Sequence, residues 1–363
     1  MVCRHPPRAA RPGLAGRVGL GGDVHGGLAL AAAITSLRIT IWRELLYILF
    51  LLTGIFMRYG SLDFLKLLLA LMVVALHSSV FFDVNRDLSF YLVNGLFRIA
   101  VPIFFVIGGF FFVDAVNSLL KLKSWALRLV KLYLFWMVVY SPFYFIDQLD
   151  KGFVRLIKEL VVGYWHLWYV SALIFSGVFC YFCSQIGLRW KLFCLFFLYV
   201  VGVFFQYYSV LSGKNFPYWF YRNFIFFGIP MFGLGFLYRQ HVDFASFLKN
   251  NRFLFLTLFS CLYVIEVYCV RHILGVSDAV DMYLTLFLLC PVIFCCTLSI
   301  DFRHSFFHAR LPNFIYFSHP LGILFLNGFS YFSRFEVFLV SSVFSVMLYF
   351  VFSFFPRLSK SLY

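Results

Sequence analysis

Charge is scarce in this chain. Only 12% of its 363 residues are Asp, Glu, Lys or Arg, about half the share of an ordinary soluble domain. Acid is scarcer still, with 15 acidic residues against 30 basic ones and a formal net charge of +15. In place of charge the chain is 63% hydrophobic and 23% aromatic. Its repeated apolar runs of about 20 residues identify a polytopic helical membrane protein. In a soluble protein the basic excess would suggest nucleic acid. Here the cations lie mostly at the ends of apolar runs, where they set topology and meet anionic headgroups, so no nucleic-acid partner is expected.

Several catalytic signatures are also missing. The sequence has no Walker A loop, no G-x-S-x-G elbow and no H-E-x-x-H helix, so an ATP-driven pump is unsupported and no metal is expected. The nine cysteines lie mainly within apolar runs and give no disulfide framework. Cys180 and Cys183 form a C-x-x-C on a predicted membrane helix. They read as small buried hydrophobes, since redox or metal chemistry needs an accessible thiolate.

The first 56 residues lack Lys altogether and hold two of the 53 Phe, Phe50 and Phe56. Rich in Gly, Ala and Arg, they are unlike the rest and read as a disordered extension. Residues 39–56 form an apolar stretch interrupted by Arg43 and Glu44, suited to an extra span, an interfacial helix or a signal-like segment. The native start is expected at Met57.

From residue 57 to 356 the pattern predicts an all-α domain of ten spans, at about 62–82, 90–113, 126–146, 166–183, 191–209, 217–238, 253–272, 280–300, 314–330 and 335–355, with a cytoplasmic tail at 357–363. Lys and Arg concentrate in connections 2–3, 4–5, 6–7 and 8–9 and at the C-terminus. The positive-inside rule places these, and so both ends of the core, in the cytoplasm.

Against this background Lys66 and His77 are conspicuous, because both lie in the first apolar run. Ionisable residues in hydrocarbon are costly and mark functional sites. Eleven residues separate them by roughly 16 Å along a helix, close to three turns, so both leave one face. The orientation puts Lys66 near the cytoplasm and His77 toward the outside.

The other polar residues fall into the same two layers. Asp63, Arg128 and Lys131 join Lys66 on the cytoplasmic side. Arg128 and Lys131 share a helical face; they suit the phosphates of a nucleotide cofactor and equally suit positive-inside anchoring. Arg98, His166, Glu266 and Asp281, the last on span 8, join His77 outside. There a histidine beside a carboxylate would make a general base, with Glu266 or Asp281 alternatively a structural partner of Arg98. Pro102 and the Gly108-Gly109 pair favour close helix packing. His319 falls on the cytoplasmic half and reads as a packing or cofactor-contact residue.

Four ordered segments resemble the acyltransferase 3 family of integral-membrane O-acyltransferases. Asp63-Phe-Leu-Lys66, followed by ten residues and then His77, is similar to the family's R-x10-H. Arg98-Ile-Ala-Val-Pro-Ile-Phe-Phe-Val-Ile-Gly-Gly is similar to R-x-x-V-P-x-F-F-x-x-S-G. His166-Leu-Trp-Tyr169 resembles H-L-W-[FY], and Ile315-Tyr-Phe-Ser-His-Pro320 resembles I-Y-L-x-H-P. Arg128-Leu-Val-Lys131 resembles R-x-x-R. Lys66, Lys131 and Gly108 replace Arg, Arg and Ser.

The resemblance implies transfer of an acetyl or other short acyl group from acyl-CoA to a hydroxyl of a cell-envelope saccharide or lipid-linked glycan, at a bacterial inner membrane. It implies His77, Arg98 and His166 as catalytic residues, to which the outer charge layer adds Glu266, and Lys66, Arg128, Lys131 and His319 as residues that hold acetyl-CoA. His77 would deprotonate the acceptor or carry the acyl group transiently. The alternative is a secondary transporter or flippase for a glycan-type solute, although no internal repeat of the kind transporters carry is visible.

Overall fold

The computed structural model describes residues 59–214, 216–277, 279–300, 309–326 and 331–354. The expected N-terminal extension, the 39–56 segment, the Met57 start and the 357–363 tail lie outside the described residues. Contacts divide the chain between Arg58 and Tyr59.

The described residues form helices and turns without a strand. In chain order these are α1 (Gly60–His77), α2 (Arg86–Val116), α3 (Leu119–Asp150), α4 (Phe153–Val162) and α5 (Trp168–Phe182). They continue with α6 (Leu188–Ser212), α7 (Ile229–Gln240), α8 (Val242–Asn250), α9 (Arg252–His272), α10 (Leu286–Leu298), α11 (Leu311–Leu326) and α12 (Arg334–Ser353). Seven runs are long and apolar enough to cross a membrane: α1, α2, Leu119–Ile146, Trp165–Phe182, α6, α9 and α12. The shorter apolar runs Phe224–Gln240, Leu286–Leu298 and Leu311–Leu326 stand where the pattern places spans six, eight and nine.

The helices show why a membrane is their solvent. Leu134, Val138 and Ile146 on α3, Val264 and Ile265 on α9, and Phe350 and Val351 on α12 are all exposed. In water such apolar faces would drive association; in lipid they are satisfied, because each helix closes its own backbone hydrogen bonds. The chain is an integral membrane protein. On α4, Phe153, Val154, Ile157, Leu160 and Val161 are exposed on a ten-residue helix, too short to span.

α2 is the central element. Its apolar window is 67% buried, against 17% for α9 and α12. It lies closest to α7, and glycine permits that approach. A Cβ on Gly109 would collide with the Phe232 carbonyl, and one on Gly235 with the Val106 carbonyl. The packing role expected of Gly109 is thus visible as backbone against backbone.

α2 is not one regular helix. After an α-helical turn at Arg86–Ser89, a π-helical turn at Phe90–Gly95 and a 3₁₀ turn at Leu96–Ile99 precede its long α-helical part, Ala100–Val116. Such irregular turns change which side chains face inward. The Tyr263 hydroxyl donates to the Gly95 carbonyl at 2.8 Å, tying the irregular part to α9. Between α9 and α10 the backbone through 279–284 is non-helical. Buried backbone outside a helix needs other groups of the protein to satisfy it. Here Gln206 accepts from the amides of Asp281 (2.8 Å) and Met282 (2.9 Å) and donates to the Met282 carbonyl (2.7 Å).

Candidate active site

His77 ends α1. Just beyond it Ser79 and Phe81 take φ of 52° and 63°, a left-handed conformation uncommon outside glycine. The chain therefore turns sharply, leaving the imidazole at the rim of the bundle. It stands edge-on to Trp165, with ring centroids 5.1 Å apart, and 5.3 Å from the ring of His319. No carboxylate contacts His77 among the described residues; its ring neighbours are an indole and a second imidazole.

His166 is delivered by another strained turn. Gly163 has φ of 104° and Trp165 has φ of 48°. A Cβ on Gly163 would stand 2.7 Å from the carbonyl carbon of Leu167 and the amide of Trp168, so glycine is needed there. The 3₁₀ turn Trp165–Leu167 then carries His166 inward to 1% exposure. Neither ring nitrogen has a hydrogen-bond partner of good geometry, although the ring lies near the Phe317 backbone.

His319 was assigned by topology to the cytoplasmic half. Instead α11 packs it between the other two imidazoles, 5.3 Å from His77 and 5.5 Å from His166. Its Nδ1 lies 3.1 Å from the Ile315 carbonyl. A carbonyl only accepts, so Nδ1 carries the proton and Nε2 is left a bare acceptor. That Nε2 is buried and unpartnered. Pro320 lies inside the helix and disturbs the backbone ladder one turn back. The Tyr140 hydroxyl donates to the Phe317 carbonyl at 2.7 Å, compensating in that turn. The result is three imidazoles in a row, with His77 at the open end.

That open end faces a cavity of about 810 Å³, within the range of small-ligand sites. His77, His166, Arg98 and Asp281 all line it, so four residues of the expected outer layer meet in one space. Asp281 lies in the non-helical stretch before α10 rather than on a span. Its Oδ1 accepts from Arg98 Nη1, and both its oxygens accept from Arg222 Nη1, at 3.1 and 3.2 Å. Arg98 Nη2 donates to Asn94 Oδ1 at 2.7 Å, while Arg98 Nε is buried without a partner. Burial alone would raise the Asp281 carboxyl, but Arg222 and Arg98 outweigh it and hold the group below its ordinary range.

Glu266 is placed outside the cavity. Its Oε1 accepts from the Leu284 amide (2.7 Å) and the Tyr207 hydroxyl (3.4 Å), and its Oε2 from the Thr285 amide (2.9 Å) and hydroxyl (2.5 Å). The carboxylate is a clamp for the start of α10. Of the two carboxylates considered for Arg98, Asp281 is the partner.

The expected cation layer is less assembled. Lys66 pairs with Asp63 at 3.3 Å and lies over the Phe111 ring. Arg128 and Lys131 are on the exposed face of α3, which packs on α2, α4 and α5. Neither makes an ion pair among the described residues, and they do not gather with Lys66 into one phosphate cradle.

Three arginines of the cavity, Arg86, Arg222 and Arg271, were missed in the sequence. All three fall at span ends that the positive-inside rule assigns to the outside, where basic residues are depleted. An arginine in that position needs another explanation, and that is the signal that would have found them.

Curated relatives include two amino-acid racemases of Enterococcus faecalis. One is 27% identical over 197 residues, covering 49% of this chain and 27% of the relative; the other is 26% identical over 132 residues, covering 33% and 19%. The chain thus spans about a quarter or less of the length of these relatives. No solved structure matches. A family model described as an acyltransferase domain matches residues 59–356, nearly the whole described chain and all four motif segments. The chain belongs to the acyltransferase 3 family.

Proposed function

We propose that this protein transfers an acetyl or other short acyl group from acyl-CoA to a hydroxyl of a cell-envelope saccharide or lipid-linked glycan, at the bacterial inner membrane. The observation that carries the reading is the meeting of His77, Arg98 and His166, from three separate motifs, at one cavity. In this reading the seven long and three short apolar helices make ten spans, with both ends of the core cytoplasmic and the cavity on the outer side.

His77 takes the proton from the acceptor hydroxyl as its oxygen attacks the thioester carbonyl. The C–S bond breaks, the ester forms, and the proton leaves with the coenzyme A thiol. Trp165 and His319 pack against the His77 ring and fix it, and His166 continues the imidazole row beyond His319. Arg98 bears on the acceptor side of the cavity. Glu266 holds the 281–285 backbone rather than a reacting atom. On the donor side Lys66 is the foremost candidate; Arg128 and Lys131 would meet coenzyme A only at the exposed face of α3.

The test is acetyl transfer from radiolabelled acetyl-CoA to envelope glycan by membranes carrying the protein. His77→Ala should remove at least about a thousandfold of the rate, consistent with loss of a general base, while inserting at the wild-type level. Transfer retained in that variant would overturn the assignment.

A further inference from the structure

The cavity at His77 is strongly cationic, and the proposed transfer does not by itself require that. Among the described residues, Arg86, Arg98, Arg222 and Arg271 line it against one carboxylate, Asp281. Counting Asp87, which pairs with Arg271 at 2.7 Å, still leaves two acids against four guanidinium groups among the described residues.

The pairing around Asp281 leaves charge uncompensated. One carboxylate is shared between Arg98 and Arg222, so one positive charge of the three groups has no counterpart. Arg98 is 8% exposed and its Nε has no partner. An orphaned donor on a buried cation is costly, and an anionic oxygen would satisfy it. Arg222 is 27% exposed at its side chain and is braced against the rings of Trp168 and Tyr218, 5.1 and 5.3 Å away. Its guanidinium is thus held in place while remaining open to the cavity. Arginine's planar fork matches phosphate and carboxylate geometry.

We propose that the acceptor is anionic: its hydroxyl meets His77 while a phosphate or carboxylate elsewhere on the same molecule is held by Arg98 and Arg222, with Arg86 and Arg271 along the cavity wall. The inference rests on the acyl-transfer reading and gives its substrate class. It also supplies regiochemistry, since the acylated hydroxyl is the one that the anchored charge allows to reach His77. The same chemistry has a second source, the phosphates of coenzyme A, which the experiment separates.

The test uses the full chain in nanodiscs, with glucose 1-phosphate and methyl α-glucoside as probes in calorimetric titration. Glucose 1-phosphate should bind at least about tenfold more tightly, as loss of a charge-assisted contact would imply, and its affinity should fall with added salt. Arg222→Gln should weaken it about tenfold and Arg222→Lys by much less. Equal binding of the two probes would overturn the inference. So would competition by coenzyme A for the glucose 1-phosphate site with a matching loss in Arg222→Gln, because the cavity would then hold donor phosphates. Acetyl transfer to envelope glycan without preference for the phosphorylated probe removes the inference and leaves the proposed function. Anion binding without any acetyl transfer removes the function and leaves the site.

Discussion

The residues of the site differ in how visible they are in the sequence. His77, Arg98 and His166 can be read because each is a polar residue placed in an apolar run at a motif position. Arg222 and Arg271 cannot be read so easily, because a basic residue at a helix end looks like an anchor until the fold shows what it faces. His319 is legible as a polar residue in an apolar run, but its place between His77 and His166 is not, since loop charge orders the ends of spans and not the packing of short helices. The Lys66–Asp63 pair is largely buried, at 18% and 7% side-chain exposure, so Lys66→Ala strands the Asp63 carboxylate and should lower the melting temperature, whereas Lys66→Arg should keep it. A raised KM for acetyl-CoA in Lys66→Ala, with Lys66→Arg close to wild type, would place it on the donor path; unchanged kinetics would remove it. Asp281 is a second case. Removing one partner of a buried charged pair costs about 3–5 kcal/mol, so Asp281→Asn should melt well below wild type at neutral pH. Because the folded carboxyl titrates below its ordinary value near 4, the stability it contributes is complete above that pH and is lost as pH falls through the folded value. Melting followed from pH 7 to pH 3 should show an acid-side drop that is smaller in Asp281→Asn.

At the scale of elements, seven of the ten expected spans coincide with helices long and apolar enough to cross a membrane, and the character of several is less legible. Apolar length marks α1, α3, α6, α9 and α12 without ambiguity. It does not show that α2 contains π and 3₁₀ turns, or that the chain before α10 runs as a non-helical segment. Both irregularities depend on hydrogen bonds from distant residues, Tyr263 for one and Gln206 and Glu266 for the other, which no local periodicity encodes. Glu266 shows the consequence. An acidic residue in a predicted span looks catalytic, yet its four hydrogen bonds all go to Leu284, Thr285 and Tyr207. Glu266→Ala should therefore destabilise the protein by about 2 kcal/mol or more, read as a lower melting temperature. Acetyl transfer per folded molecule should stay within a few-fold of wild type; a catalytic role would instead lower turnover at unchanged stability.

For the whole molecule the sequence carries the class, a charge-poor polytopic bundle, and the loop cations carry an orientation. That orientation predicts that a reporter fused after Tyr363 is active only in the cytoplasm, and that one inserted in the Asp83–Asp87 turn is active only outside. The opposite pattern would invert the two sides of the proposed reaction.

The knot at Asp281 has a consequence for motion. Arg98 reaches it from α2, Arg222 from the segment before α7, and Gln206 from α6 holds its backbone. A carrier that exposes its load to each side in turn must close and reopen this end of the bundle in every cycle. Parting α2 from α7 here would strand a buried carboxylate each time, at several kcal/mol. An enzyme whose two substrates arrive from opposite faces has no such cycle: its acceptor mouth can stay open and rigid while only the ligands move.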